Sequence, residues 1–227
     1  MVPWIETLHD FPSVATALPE PNGLLCVGAD LAPETIIAAY SRGIFPWFSD
    51  GQPILWWSPE PRMVLFPAEF KRSKSLARTI NRGVFEIRID TAFADVITAC
   101  AEPRAYGGGT WIVPEMCAAY ARLHALGVAH SVESWRDGKL VGGLYGLALG
   151  RMFFGESMFA RETDASKIAL VALVDKLRLD GFELIDCQQE TRHLASFGAR
   201  PIARLDFVRR LKELINLNTS GSVWRTS

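Results

Sequence analysis

The chain has 227 residues, of which 49% are hydrophobic, so it is long enough for one large domain or for a medium-sized domain with a small companion. Its 24 basic and 25 acidic residues leave a formal net charge of −1. A binding mode that relies on an overall basic charge is therefore excluded, and any affinity for nucleic acid must come from a local cluster of basic residues.

The four cysteines are isolated in the sequence. None belongs to a Cys-x-x-Cys pair, and none has a histidine at the spacing of a metal site. We expect buried thiols in a reduced, cytoplasmic protein that needs neither a metal ion nor an organic cofactor. The first residues have no basic segment followed by an apolar run, so no secretory signal is expected. The longest apolar stretch, residues 140–149, is broken by glycine and is too short to span a bilayer.

Residues 1–62 predict a small, turn-rich N-terminal domain. They are rich in proline and contain four of the seven tryptophans. One helix is predicted from Pro33 to about Arg42, because proline suits an early helical position and Gly43 is placed to end the helix. The aromatic side chains of residues 43–48 and 54–59 are interpreted mainly as packing against the larger domain that follows.

Residues 63–227 predict a larger α+β domain, with helices packed on a mostly antiparallel sheet. Asp137 and Gly138 form a two-residue hairpin signal between two of the strands. The order of elements suits an N-acetyltransferase-like domain. Helices are predicted over residues 73–82, 93–100, 114–126, 168–179 and 205–217, and strands over residues 85–89, 132–135, 139–149, 152–154 with a continuation, and 182–188.

Two polar sites interrupt apolar runs. Residues 184–188 (LIDCQ) are strand-like, and the period of two places Asp186 and Gln188 on one face of the strand and Cys187 on the other. Glu156 is a lone carboxylate within residues 153–159. Since a buried carboxylate is costly unless it is paired, each acid either receives a backbone N–H or serves a pocket. Two such sites on strand-like segments favour a pocket.

A cluster of basic residues, the basic stripe, lies within twelve positions. No acid interrupts it before Glu86, and on a helix positions 71, 74, 78 and 82 share one face while Leu76 and Ile80 lie opposite. The stripe is either a solvated helix face or a track for phosphates, and its single sign of charge favours phosphates. Its members are Lys71, Arg72, Lys74, Arg78 and Arg82.

Two tryptophans in turn-forming segments are candidates to face a ligand. Trp47 lies in residues 43–48, and Trp111 follows the run of glycines at residues 107–109. A flat indole ring is a stacking platform for an unpaired base. Together with the basic stripe, these rings favour a ligand that carries phosphates and an unpaired base.

Seven motifs, in this order along the chain, resemble those of the bacterial leucyl/phenylalanyl-tRNA–protein transferases. The resemblance extends from about residue 20 to about residue 210. It implies transfer of leucine or phenylalanine from aminoacyl-tRNA to proteins that begin with arginine or lysine, which marks them for degradation through the N-degron pathway. Because an apolar pocket discriminates weakly between side chains of similar size, methionine is a further candidate donor. The motifs are residues 22–25 (NGLL), 40–48 (YSRGIFPWF), 55–59 (LWWSP), 109–112 (GTWI), 155–159 (GESMF), 165–167 (ASK) and 184–188 (LIDCQ).

The resemblance also implies roles for individual residues; separately, we expect a monomer. Asp186 and Gln188 become the catalytic pair, and Glu156 becomes an acidic contact near the acceptor. Trp47 and Trp111 become candidates to hold the terminal adenosine, and the basic stripe becomes the track for the tRNA backbone. The candidates for the apolar pocket that receives the donor side chain are Leu144, Phe153, Met158, Leu170 and Leu173.

Two other functions remain open from the sequence. A coenzyme A-dependent N-acetyltransferase would have a glycine-rich turn before its long helix to cradle a pyrophosphate. Residues 160–166 (ARETDAS) contain no glycine and two acids instead. A non-catalytic tRNA-binding module would keep the basic stripe and the tryptophans, but it would not need Asp186, Gln188 and Glu156 around one pocket.

Overall fold

A computed structural model describes residues 1–102 and 112–218, together with Trp224. In this part of the chain the strands form two sheets, one of four strands and one of seven. None of the described helices is both long enough and apolar enough to cross a bilayer.

The four-stranded sheet and one helix are built from the first 57 residues. Trp56 is buried, and its Nε1 donates a hydrogen bond of 2.9 Å to the backbone oxygen of Gly28, which ties two strands together. The predicted first helix is present as α1, Pro33–Tyr40, with its proline at the start and Ala32 as a cap that makes no side-chain bond. The strands are β1 (Trp4–Ile5), β2 (Leu24–Gly28), β3 (Phe45–Pro46) and β4 (Leu55–Trp57), in the order β1-β2-β4-β3.

The seven-stranded sheet is antiparallel at every described pairing except one. Strands β9 and β10, which carry the two polar sites, run parallel to each other. The predicted turn at Asp137 and Gly138 is confirmed, since both residues have the positive φ angles, 50° and 72°, that a type I′ hairpin needs. The strands, in the order β11-β5-β10-β9-β8-β7-β6, are β5 (Arg62–Leu65), β6 (Glu86–Ile89), β7 (Ala129–Arg136), β8 (Lys139–Leu149), β9 (Met152–Ala160), β10 (Leu184–Gln188) and β11 (Arg200–Ile202).

The remaining helices cover the two faces of this sheet. Every helix predicted from the sequence is present within a few residues of its expected bounds, and α6 was not predicted. The α+β class, with a small N-terminal part and helices on a mostly antiparallel sheet, is confirmed. The helices are α2 (Lys74–Asn81), α3 (Phe93–Ala101), α4 (Pro114–Ala125), α5 (Ala165–Leu179), α6 (Arg192–Ser196) and α7 (Arg204–Leu214).

Two hydrophobic cores pack against the large sheet. One contains Tyr120 of α4 and Phe154 of β9 together with Tyr40 and Trp56 from the N-terminal region. The other contains the apolar residues of α5. The four-stranded sheet ends at Trp57 and the large sheet begins with β5, but the first core extends across this junction. The division into residues 1–62 and 63–227 therefore stays a prediction.

Candidate active site

A cavity of about 550 Å³ brings most of the predicted site residues together. Its walls come from β3, β8, β9, β10, α5 and α6, so residues far apart in the sequence meet there. Glu156 is the only acid among its lining residues in the described chain, and no lysine or arginine lines it. The exposed ring of His193 lies at its edge.

Much of the cavity lining is apolar. All five residues predicted for the donor pocket line the cavity, and all but Met158 are buried. Because apolar surface leaves water favourably, these residues suit an uncharged hydrocarbon or aromatic side chain. We call these residues the apolar pocket: Leu144, Phe153, Met158, Leu170 and Leu173.

Gln188 lines the cavity from the end of β10, at a distorted point in the strand. Its φ angle is +55°, and the register of β10 against β5 shifts between Asp186 and Gln188. Cys187 and Gln188 both line the cavity, whereas Asp186 does not. The expectation that Asp186 and Gln188 share a face opposite Cys187 is therefore wrong. The cause is the bulge, which breaks the alternation of side chains.

Asp186 is fully buried and forms an ion pair with Arg62. Arg62 Nε donates to Oδ1 at 2.8 Å and Nη2 donates to Oδ2 at 2.6 Å, and neither side chain is exposed. Asp186 Oδ1 also accepts the backbone N–H of Gln188 at 3.0 Å. The Asp186 carboxylate therefore holds the backbone of Gln188, beneath the cavity.

The guanidinium of Arg62 is itself held by the N-terminal region and by α7. Its Nη1 donates to the backbone oxygen of Gly43 at 3.2 Å. Its carbon lies 4.8 Å and 4.6 Å from the ring centres of Phe45 and Phe207. Cation–π contacts of this kind stabilise a guanidinium that is removed from water. The ion pair thus joins β10 to β5, to the N-terminal region and to α7.

Glu156 is partly buried on β9 and is bonded by two tyrosines. Its Oε1 accepts the hydroxyl of Tyr40 at 2.7 Å, and its Oε2 accepts the hydroxyl of Tyr120 at 3.1 Å. Burial raises the pKa of Glu156 to about 8, against the opposing effect of the two tyrosine hydroxyls. The group is therefore largely a neutral acid at pH 7.

Three residues that line the cavity each carry a buried side-chain polar atom with no hydrogen-bond partner in the described chain. The atoms are the Tyr145 hydroxyl, Ser157 Oγ and Gln188 Nε2. Buried polar atoms are almost always paired in folded proteins. These atoms are therefore candidate hydrogen-bonding groups for a bound substrate.

Of the two tryptophans predicted to face a ligand, only Trp47 is among the described residues. Trp47 lines the cavity, and its ring centre lies 5.5 Å from that of Trp57. Its backbone oxygen accepts a hydrogen bond of 2.6 Å from Trp57 Nε1. Trp111 lies outside the described residues.

The basic stripe is exposed along α2, with Leu76 buried on the opposite face as expected. Lys71 does not belong to the helix, because α2 begins only at Lys74, after the cap Ser73. The stripe on the helix is therefore shorter than expected. Arg72 forms an ion pair with Asp175 of α5, whereas the other basic side chains of the stripe have no acidic partner in the described chain.

Three residues of this site were missed in the sequence: Arg62, Tyr40 and Tyr120. Arg62 stands directly before the apolar run of residues 63–66, which is the same signal that singled out Glu156. Tyr40 begins one of the motifs used for the resemblance, and Tyr120 offers no local signal. Among the described residues, no group of three or more His, Cys, Asp or Glu side chains could hold a metal ion.

Comparison with known proteins shows the family. Residues 64–212 match the family model of the leucyl/phenylalanyl-tRNA protein transferases, and residues 29–60 match the model of their N-terminal domain. The chain belongs to this family. It is 59% identical to the family member from Nitrosospira multiformis over 99% of this chain and 97% of that one, and 58% identical to the member from Chromobacterium violaceum over 99% and 96%.

Solved structures share a weaker likeness. An aminoglycoside acetyltransferase from an uncultured soil sample, in complex with trehalose, is 15% identical with a TM-score of 0.38, covering 57% of this chain and 88% of that one. L-PGS from Bacillus licheniformis is 11% identical with a TM-score of 0.38, covering 72% and 55%. At these TM-scores the likeness has no bearing on function, and the family assignment rests on the sequence relatives.

Proposed function

We propose that this chain transfers leucine or phenylalanine, and methionine as a weaker donor, from aminoacyl-tRNA to the α-amino group of an acceptor protein. Family membership over nearly the whole chain supports the reaction. The observation that carries the proposal at the level of residues is the cavity itself. It joins the apolar pocket to the unpartnered amide of Gln188 and to Glu156.

The apolar pocket selects the donor by shape and by burial of hydrocarbon. One methylene more or less in such a pocket changes binding by only about 1–3 kcal/mol, so leucine, phenylalanine and methionine are all accepted to some degree. A β-branched side chain is stiff near the backbone and fits an elongated pocket poorly. The pocket therefore rejects valine and isoleucine by shape.

The chemistry places modest demands on the protein. The aminoacyl ester is already activated, so the tasks are to position the attacking amine and to stabilise the tetrahedral intermediate. An α-amino group has a pKa of roughly 8, so a part of it is neutral near pH 7 without a strong base. The carbonyl oxygen of Gln188 accepts a hydrogen bond from the amine and aims its lone pair, and the unpartnered Nε2 is available to the oxyanion.

Asp186 acts through Gln188 in this proposal. Its carboxylate is occupied by Arg62 and by the backbone N–H of Gln188, and it does not line the cavity. It is therefore a positioning residue, which fixes the left-handed backbone of Gln188 so that the amide faces the substrate. Glu156 serves the first residue of the acceptor, arginine or lysine.

The tRNA is proposed to lie along the basic stripe, with its terminal adenosine at Trp47 and Trp111. The exposed positions of Lys74 and Arg78 on α2, and of Arg82 directly after it, support this path. The protein acts as a monomer in the cytoplasm, where its product enters the N-degron pathway. Cys26, Cys117 and Cys187 are free thiols, as suits a reducing compartment.

The start of α5 disfavours a coenzyme A-dependent reaction. Asp164 is the N-cap residue of α5, and its carboxylate accepts hydrogen bonds from Lys167 Nζ at 2.7 Å and from the Thr79 hydroxyl at 3.2 Å, but makes no capping bond to the helix backbone. A pyrophosphate at the same helix start would meet a fixed negative charge. Transfer from aminoacyl-tRNA requires no such anion site.

A transfer assay tests the proposal. Labelled leucine or phenylalanine on tRNA is offered to a peptide that begins with arginine and, as a control, to the same peptide beginning with alanine. We expect label only in the arginine peptide. Retained binding of charged tRNA without transfer to either peptide would refute the proposal and favour a non-catalytic tRNA-binding module.

A further inference from the structure

Three oxygen-bearing groups form a closed ring beside the cavity, the tyrosine–glutamate ring. The hydroxyl oxygens of Tyr40 and Tyr120 are 2.6 Å apart, and each also contacts one oxygen of Glu156, at 2.7 Å and 3.1 Å. Each of these contacts is at hydrogen-bond distance and needs one proton. The two hydroxyls supply two protons, so three contacts are satisfied only when the carboxyl group carries the third.

The two tyrosine hydroxyls cannot turn away to form other hydrogen bonds. Both side chains are fully buried, and their rings are fixed by edge-on contacts, Tyr40 with Phe154 and Tyr120 with Tyr145. If Glu156 were ionised, one of the three contacts would bring two oxygen lone pairs together without a proton. The neutral acid is therefore the form that this geometry satisfies.

The charged neighbours of Glu156 do not change which of its protonation states is favoured. Asp186 of β10 disfavours an ionised Glu156 and Arg62 of β5 favours it, but the two are bonded to each other and largely cancel. In the described part of the chain, the other titratable groups that face Glu156 are Tyr40 on α1, Tyr120 on α4 and Tyr145 on β8, and burial raises the pKa of each tyrosine well above its ordinary value. Burial likewise raises the pKa of Glu156 to about 8.

We infer that the tyrosine–glutamate ring holds Glu156 as a neutral carboxylic acid in the free protein, and that a cationic first residue of the acceptor binds there by displacing its proton. This inference rests on the proposed function for the identity of the acceptor. It makes Tyr40 and Tyr120 specificity-determining residues. After the proton leaves, each hydroxyl donates to one carboxylate oxygen and the cation balances the charge.

As a consequence, the preference of the site for a cationic first residue should depend on pH. A cation at Glu156 stabilises the ionised form and lowers its pKa, so binding releases a proton and strengthens as the pH rises towards 8. At lower pH the neutral acid offers hydrogen bonds but no charge, so it discriminates only weakly between a cationic and an uncharged first residue. A permanently ionised carboxylate would show the same preference throughout this range.

Two acceptor peptides separate these possibilities, one beginning with arginine and one beginning with citrulline, its uncharged isostere. The α-amino group titrates similarly in both, so its effect cancels in the ratio of their kcat/KM values. We expect this ratio to rise roughly tenfold between about pH 6.5 and about pH 8.5, as the ionised fraction of Glu156 grows. In Glu156→Gln the ratio should be low and independent of pH, while the surface control Glu86→Gln should follow the wild type.

A ratio that is constant in the wild-type protein, or that rises equally in Glu156→Gln, would overturn the inference. Infrared difference spectroscopy of the free protein supplies a readout that does not require activity. The wild type minus Glu156→Gln spectrum should show the carbonyl band of a protonated carboxylic acid at neutral pH, and its lack would also overturn the inference. No transfer to either peptide would instead count against the proposed function, and the infrared result would still decide the state of Glu156.

Discussion

Arg62 and Asp186 are 124 residues apart in the sequence, yet they form a fully buried ion pair with two hydrogen bonds. The same carboxylate accepts the backbone N–H of Gln188 at 3.0 Å. The N-terminal edge of β5 therefore determines the shape of the strand that presents Gln188 to the cavity. An arginine that does not line the cavity thus becomes part of the site.

Replacing Arg62 should destabilise the protein strongly. Arg62→Met leaves the buried carboxylate of Asp186 without its partner, and breaking a buried pair in this way costs about 3–5 kcal/mol. Chemical unfolding should show a loss of this size. Arg88→Met is a suitable control, because Arg88 pairs with Glu86 at the surface and its loss should change the unfolding midpoint little. Equal, small effects of both substitutions would show that the buried pair contributes little to stability.

A larger side chain in the apolar pocket should change the choice of donor. Leu173→Phe reduces the space for a ring, so transfer of phenylalanine should fall relative to leucine by about tenfold in kcat/KM. Leu177→Phe is the matched control, because Leu177 is buried on the same helix but does not line the cavity. It should bear a similar packing cost while the donor ratio stays the same. An unchanged ratio in Leu173→Phe would place the donor side chain elsewhere.

The basic stripe should contribute to the salt dependence of tRNA binding. Arg78→Ala removes one exposed charge, so the slope of log affinity against log salt should decrease by about 1 if this side chain contacts a phosphate. Arg72→Ala should have a smaller effect, because Arg72 is already paired with Asp175. Identical slopes for the wild type and Arg78→Ala would remove α2 from the tRNA path.

Two glycines that face each other across β8 and β9 should differ in their tolerance of a methyl group. A Cβ at Gly146 would lie 2.1 Å from the backbone oxygen of Phe154, whereas one at Gly155 meets nothing closer than 3.7 Å. Gly146→Ala should therefore lower the melting temperature, since the close contact is with backbone that cannot move freely. Gly155→Ala should leave it nearly unchanged. Equal melting temperatures would contradict this account of the close backbone contact at Gly146.

Local signals in the sequence predicted local structure well. Ser73 caps α2 through a bond of 3.1 Å to the N–H of Leu76, and Gly83, with a φ angle of 61°, follows its end. Asp137 and Gly138 set the hairpin between β7 and β8 for the same kind of reason. Each of these features depends on residues within a few positions of each other, which a single sequence displays directly.

The site itself depends on contacts that the sequence does not display. Arg62 with Asp186 and Tyr40 with Glu156 are pairs separated by 124 and 116 residues. The position of Gln188 depends on its own positive φ angle, which is uncommon for a residue other than glycine. No local sequence pattern predicts it. Simple alternation along β10 therefore placed Gln188 on the wrong face of the strand, whereas Asp186 does lie opposite Cys187.

The most direct test is the single-turnover rate of Gln188→Met, measured with saturating charged tRNA and an arginine-first peptide. Methionine keeps the length of the side chain but removes both polar atoms of the amide. We expect transfer to slow by about 10²-fold, in line with the loss of one polar group that serves the transition state, while the affinity for charged tRNA stays the same. A rate equal to that of the wild type would contradict the catalytic assignment of Gln188.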